Sequence, residues 1–258
     1  MTARLRLTVV TVFPDLLGTY GDRGNGMVLA RRAAWRGIDV SLVEAVSTDR
    51  LPAADIYCIG GGEDGPQVRA AELLGGDDTL AGAVRQGAAV LGVCAGYQLL
   101  GRSFPDAGGA PIRGLGLLDV ETVKGAGSRA VGELLAEASP TAPMLPGGVR
   151  LPPLTGFENH AGTTMLGRGA APLARVVRGR GNGGAGRSEG AWSGRVVGTY
   201  LHGPVLARNP HLADLLLGWA LGSEEPLATV DDVEVEAWRA ERLAASASRR
   251  PAWSSLVR

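Results

Sequence analysis

Residues 88–101 read AAVLGVCAGYQLLG, and this stretch decides the fold. Its first six residues are small, apolar or β-branched, the composition of a strand buried on both faces. A helical stretch begins at Gly96 with no linker in between. Strand and helix therefore meet at Gly92-Val93-Cys94-Ala95-Gly96, the cysteine form of the Gly-x-Ser-x-Gly turn that carries a nucleophile on a sharp bend. The glycines two before and two after leave room for a crowded backbone. The bend aims the sulfur at the start of the next helix, where the backbone dipole favours a thiolate. The Ala95 N–H then lies beside an attacked carbonyl. Cys94 is a candidate nucleophile, and Ala95 a candidate oxyanion donor.

Upstream of this turn, residues 5–12 (LRLTVVTV), 38–43 and 55–60 (DIYCIG) read as strands, and residues 25–36, 66–74 and 79–86 as helices. The alternation predicts an α/β fold of flavodoxin-like type, a largely parallel sheet with helices on both faces. Downstream, residues 115–123, 130–135, 156–159, 173–178 and 195–200 are short and strand-like between Gly- and Pro-rich turns. They read as a mixed or antiparallel extension of the same sheet. Residues 179–190 (GRGNGGAGRSEG) read as a mobile loop between two strands, with no Gly-Lys-Ser/Thr to make a phosphate loop. Residues 205–221 read as one helix. Residues 1–222 form one domain on this reading. Residues 223–258, acidic over 224–236 and arginine-rich after 237, form a helical, charged extension.

Composition narrows the function class. Lys plus Arg (26) balance Asp plus Glu (26), which argues against a chain-wide basic face for nucleic acid. Gly and Pro make up about a fifth of the residues, below the ~25–30% of low-complexity chains, so the glycines mark turns and close approaches. No apolar run reaches the ~18 residues of a membrane span and residues 1–13 lack the order of a signal peptide, so a cytoplasmic chain without membrane insertion is expected. Two cysteines are too few for a disulfide scaffold, and Cys58, inside an apolar strand, reads as structural.

A thiolate nucleophile needs a base, and the chain has three histidines. His202 follows RVVGTYL (195–201) at a strand end. In a doubly wound sheet, strand C-terminal ends converge on the edge that bears the Cys94 turn. His202 is therefore the preferred base and later acid. His160, in GFENH (156–160), is the second choice, and His211, at a helix start, reads as surface. The run Gly60-Gly61-Gly62 lets backbone N–H groups approach a ligand, and one of them can complete an oxyanion hole with Ala95.

Taken together, these residues resemble the class I glutamine amidotransferases, in the branch related to the glutaminase domains of cobyric acid synthases. The resemblance covers residues 5–222. It is carried by the Gly-rich turn after the third strand, GVCAGYQLLG (92–101), GFENHAG (156–162) and GTYLHGP (198–204), with 108 residues from Cys94 to His202. FPDLLGTYGDRGN (13–25) and YLHGPVLARNPHLAD (200–214) make it most similar, within that branch, to the glutaminase subunits of lipid II isoglutaminyl synthases. The resemblance implies that Cys94 attacks the side-chain amide of L-glutamine, that His202 protonates the departing ammonia, and that a γ-glutamyl thioester is hydrolysed. It implies a substrate-binding role for Arg129, and for Gly61, Gly62, Ala95 and Gln98. It implies no cofactor or metal in this chain, and a heterodimer with a Mur-ligase-like synthetase. That partner uses ATP to activate the D-glutamate α-carboxyl of the cell-wall precursor. Cobyrinate-type amidation, a stand-alone cysteine hydrolase of the same fold, and a regulatory module with a relic turn are the competing readings. One departure stands out. Many members carry His-x-Glu, but Pro204 sits two residues after His202. The missing carboxylate is then Glu158, another carboxylate of the chain, or one from the partner.

Overall fold

In the computed structural model, which describes residues 6–248, the first half alternates as the sequence predicts. It runs β1 (Arg6–Val12), α1 (Gly24–Trp35), β2 (Asp39–Ala45), β3 (Ile56–Ile59), α2 (Asp64–Gly75), α3 (Thr79–Arg85), β4 (Ala89–Val93) and α4 (Ala95–Leu100). The apolar runs IYCI and AVLGV are buried throughout as β3 and β4, as strands covered on both faces must be. Pairing among β1, β2, β3 and β4 is parallel. Leu5, the first residue of the expected first strand, lies outside the described residues, as does the end of the C-terminal extension, 249–258.

The second half is strand-rich. β5 (Ser103–Pro105), β6 (Pro111–Arg113), β7 (Val120–Lys124), β8 (Ala130–Ala138), β9 (Met144–Leu145) and β10 (Val149–Arg150) come first. β11 (Leu154–His160), β12 (Gly162–Leu166), β13 (Ala174–Arg178), β14 (Ser188–Glu189), β15 (Ala191–Ser193) and β16 (Val196–Thr199) follow. Helices α5 (Val205–Arg208), α6 (Pro210–Leu221) and α7 (Val233–Ser248) end the described chain.

Only β15 and β16 join the first sheet, whose order is β15-β16-β4-β3-β1-β2. β16 runs parallel to β4, and β15 pairs antiparallel with β16 at the edge. The other strands do not extend this sheet, contrary to the sequence reading. They form separate sheets, β11-β8-β13-β14 and β12-β7-β5-β6, with β9 and β10 as a small pair. The length of α4 supplies the reason. Its six residues span only about 9 Å at 1.5 Å per residue, too short to carry the chain back for another parallel strand. The chain therefore leaves the sheet at its C-terminal edge and builds ladders above the Cys94 turn that are antiparallel except where β5 meets β7.

α1, α5 and α6 pack together, with α1 and α6 on one face of the parallel sheet, and α4 and α2 lie on the other. The single helix expected over 205–221 is two. Asn209 interrupts it by turning its side chain to Thr155 N, Thr155 O and Val205 O, and Pro210 opens α6. The glycine-rich stretch is tied down rather than loose. Glu158 accepts the N–H groups of Arg180 and Gly181, and buried Asn182 donates to Ser188 Oγ and Gly190 O. α7 packs on β8 and β11. No helix among the described residues is long and apolar enough to cross a membrane.

Candidate active site

Cys94 has φ 53° and ψ −104°, a backbone conformation that costs a non-glycine residue energy and persists only where its surroundings impose it. The surroundings are visible. The Cys94 N–H donates to Thr199 O at 2.8 Å and the Gly96 N–H to Gly60 O at 3.1 Å, so the turn is fastened to the ends of β16 and β3. A side chain at Gly92 would meet Gly96 O at 2.7 Å, and one at Gly96 would overlap the Ile59 carbonyl. Both flanking glycines are thus required by space.

His202 follows the end of β16 and exchanges backbone hydrogen bonds with Phe157 of β11 (2.8 and 3.1 Å). It is 2% exposed. Its Nδ1 lies 3.3 Å from Asp22 Oδ2, and the same oxygen accepts the Gly61 N–H at 2.9 Å. With Nδ1 given to a carboxylate, Nε2 is the buried atom left for chemistry. Burial alone would lower the imidazole's pKa. The hydrogen bond with Asp22 and the influence of the Cys94 thiol outweigh it and push it up to about 10. An imidazolium beside the sulfur is what a thiolate nucleophile needs. The Tyr20 ring packs against the imidazole, with centroids 4.7 Å apart.

Of the three sources left open for the carboxylate at His202, the chain itself is the one observed, and the residue is Asp22. Glu158 holds the glycine-rich stretch instead. Asp22 and Tyr20 lie in the loop between β1 and α1, within the quoted stretch GTYGDRGN, yet neither was singled out from sequence. Asn159, within GFENHAG, is the third residue missed.

A cleft of about 170 Å³ opens over the sulfur, lined by Gly62, Glu63, Gln67, Cys94, Ala95, Gln98, Arg129, Asn159 and His160 among others. That is the scale of a small polar molecule rather than a drug-sized ligand. The Ala95 and Gly62 N–H groups border it and make no hydrogen bond among the described residues. Gly61 behaves differently from its expected role. Its N–H is committed to Asp22, and a side chain there would meet His202 Cε1 at 2.8 Å. Its lack of a side chain makes room for the base.

Arg129 stands at the rim, its guanidinium donating to Asn159 Oδ1 (2.5 Å) and Asn159 O (3.2 Å). Asn159 in turn donates to the Tyr20 hydroxyl at 3.1 Å, and its carbonyl lies 3.9 Å from Cys94 Sγ. Gln98 forms part of the wall, with its amide already engaged. It accepts from Gln67 Nε2 (2.9 Å) and donates to the Tyr200 hydroxyl (3.1 Å), which meets Thr164 Oγ1 at 2.6 Å. Gln98 therefore shapes the cleft through this network.

His160 also borders the cleft, but it stacks on Tyr200 (centroids 3.7 Å apart) and engages Gly162 O through Nδ1 at 3.1 Å. His211 sits at the start of α6, 3.6 Å from Glu236. Cys58 is walled into β3, where burial and then the Asp22 charge push its thiol up to about 12. It is no nucleophile. No group of three or more His, Cys, Asp or Glu among the described residues is arranged to hold a metal. The arrangement at Cys94 suits acyl transfer, with a strained cysteine, a base oriented by a carboxylate, two free N–H donors and a cationic rim.

Comparison with known proteins agrees with this chemistry. Residues 8–210 match the CobB/CobQ-like glutamine amidotransferase domain. The chain is 34% identical over 238 residues to the lipid II isoglutaminyl synthase (glutamine-hydrolyzing) subunit GatD of Staphylococcus aureus, covering 90% of this chain and 93% of that one. It is 41% identical over 144 residues to the cobyric acid synthase of Pelotomaculum thermopropionicum, covering 53% of this chain and 26% of that one. Among solved structures, PurLQS from Thermotoga maritima has a TM-score of 0.56 at 18% identity, over 85% of this chain and 98% of that one, a likeness of fold.

Proposed function

The chain belongs to the CobB/CobQ-like glutamine amidotransferase family, and from that premise we propose that it is the glutamine-hydrolysing subunit of an enzyme that amidates lipid II. One observation carries the choice of acceptor. The similarity to the staphylococcal subunit runs through nine-tenths of both chains, whereas the similarities to cobyric acid synthases span 46% to 74% of this chain and only 22% to 34% of theirs.

In the proposed reaction, L-glutamine enters the cleft with its α-carboxylate towards Arg129 and its side-chain amide over Cys94. The sulfur attacks the amide carbon, and the oxygen gathers negative charge against the N–H groups of Ala95 and Gly62. His202 passes its Nε2 proton to the departing nitrogen, and ammonia leaves. Asp22 keeps Nδ1 protonated and steadies the imidazolium throughout. Water, activated by the now neutral His202, then attacks the γ-glutamyl thioester, and glutamate departs with the sulfur freed. The ammonia goes to a Mur-ligase-type partner that consumes ATP to activate the α-carboxyl of the stem-peptide D-glutamate, giving D-isoglutamine. We place this heterodimer in the cytoplasm.

Reconstitution tests the reading. The chain is mixed with a Mur-type ligase from the same cell, ATP, glutamine and lipid II, and the stem peptide is read by mass spectrometry. Glutamine-dependent amidation is expected, lost in Cys94→Ala and restored there by ammonium chloride. Amidation of a cobyrinate in place of lipid II would overturn the acceptor while leaving the glutaminase intact.

A further inference from the structure

Glu189 is completely buried, yet none of the steps above uses it. It stands on β14, at the end of the glycine-rich stretch. Its Oε1 accepts a hydrogen bond from Thr199 Oγ1 at 2.5 Å and another from the Tyr200 N–H at 2.9 Å. Thr199 Oγ1 accepts the Leu201 N–H at 3.1 Å, and the Thr199 carbonyl accepts the Cys94 N–H at 2.8 Å. β16 ends at Thr199 and its pairing with β4 ends there too, at Val93. The next two N–H groups, on the fully buried Tyr200 and Leu201, have lost their sheet partners, and orphaned buried donors are costly. Glu189 and Thr199 supply the acceptors. One carboxylate oxygen thus holds the segment that grips Cys94 from behind and carries His202 on its next residue.

We propose that Glu189 is a positioning residue of this active site, which fixes residues 199–201 so that Cys94 and His202 stay in register, and whose ionisation tunes the site's response to pH. The inference rests on Cys94 being the nucleophile. The groups acting on the carboxylate come from four places: Tyr97 on α4, Glu158 on β11, Thr199 and Tyr200 at the end of β16, and the Gly190 N–H beside it. Burial raises its pKa most. The hydrogen bonds from Thr199 and Tyr200 oppose that, the Glu158 charge adds to it, and the result is about 7. The ionised form holds the Thr199 hydroxyl by a charge-assisted bond, and the neutral form holds it more weakly. Register is therefore tightest above neutrality.

The test compares Glu189→Gln, Glu189→Ala, Thr199→Val and the double variant Glu189→Ala/Thr199→Val. Three quantities are read: kcat and KM for glutamine, the pH profile of Cys94 alkylation by iodoacetamide, and Tm. Glu189→Ala should lose roughly 10–150-fold in kcat, the worth of a hydrogen bond to a charged group. KM should stay within about twofold, because the glutamine contacts lie elsewhere. Glu189→Gln offers the same acceptor oxygen without a charge. It should recover most of kcat and lose an alkylation step near pH 7 that the wild type shows. Thr199→Val should match Glu189→Ala, and the double variant should be no worse.

A folded Glu189→Ala with wild-type kcat overturns the proposal. So does Glu189→Gln that keeps the wild-type alkylation profile. If Glu189→Ala does not fold, Glu189→Gln and Thr199→Val decide on their own. A wild type that neither hydrolyses glutamine nor reacts at Cys94 overturns the nucleophile and, with it, this inference.

Discussion

Replacing Asp22 with asparagine removes one charge from the buried pair with His202 while keeping the side chain's shape. Asp22 is 2% exposed, and its Oδ2 serves both the Gly61 N–H at 2.9 Å and His202 Nδ1 at 3.3 Å. The asparagine oxygen can keep both contacts, so the fold should survive. What is lost is the attraction between carboxylate and imidazolium. A hydrogen bond to a charged group is worth about 1.5–3 kcal/mol, and the burial of both partners favours the upper end. At 1.36 kcal/mol per pKa unit, about 3 kcal/mol brings the imidazole down from about 10 towards roughly 8. The same range corresponds to a loss of roughly 10–150-fold in kcat. His202 must be protonated to release ammonia, so the alkaline limb of kcat against pH should move down with it. KM should change little, because Asp22 does not line the cleft. The assay is glutamate release at saturating glutamine from neutral to alkaline pH, with the chain alone and again with its ligase. Wild-type kcat and an unmoved alkaline limb in Asp22→Asn would refute the reasoning, and a carboxylate from the partner would regain its place.

Cys94→Ala should abolish glutamate release with an unchanged circular dichroism spectrum, while Cys58→Ala keeps activity; ammonia release at the wild-type rate from Cys94→Ala would sink the mechanism. His202→Ala should lose roughly 10²–10⁴-fold in kcat, the worth of general acid–base assistance, and His160→Ala much less, since that ring is held by Tyr200 and Gly162. Comparable losses at both positions would show that the base is wrongly assigned. Arg129→Ala should lower kcat/KM for glutamine by roughly 10–150-fold, and an unchanged value would leave the rim arginine with only its bonds to Asn159. Stability should fall as pH rises, for two reasons of the same sign. The contribution of His202, whose pKa is raised from 6.5 to about 10, is complete below 6.5 and lost through about 10; that of Glu189, raised from 4.5 to about 7, is complete below 4.5 and lost through about 7. Urea unfolding at pH 5, 7 and 9 reads both effects, and stability that climbs across this range would contradict them.

The parallel half of the fold was legible because strands buried on both faces leave continuous apolar runs in sequence. LTVVTV, IYCI and AVLGV needed no partner information to be recognised. The partition of the later strands was not legible. Strands of two to nine residues carry no mark of which neighbour they will pair with. That choice followed from α4 being too short to return the chain to the parallel sheet. The break at Asn209 was visible as Asn-Pro, but the apolar pattern ran on across it. Nothing local told that the Asn209 side chain would reach Thr155, 54 residues away.

The site divides in the same way, between residues that declare themselves by backbone demand and residues that matter by where they arrive. Cys94 was legible because a strained turn needs glycines on both sides, and His202 because it ends a strand beside that turn. Asp22 reaches His202 from 180 positions away, whereas the position two residues downstream of the histidine is Pro204, which has no carboxylate. Pro204 nevertheless lies against the segment that carries Asp22. A side chain at Gly24 would run into the Pro204 ring, so the two residues are packed against each other at the start of α1. Asp22 is two residues before Gly24. Pro204 packs against the start of α1 just after the β1–α1 turn, and that turn delivers the carboxylate. Gly61 completes the exchange by giving its N–H to Asp22 and its empty side-chain space to the His202 ring. The two glycines and the proline thus surround a carboxylate that reaches the imidazole from a distant part of the chain, which is why the isolated chain should contain every group that the hydrolysis of glutamine requires.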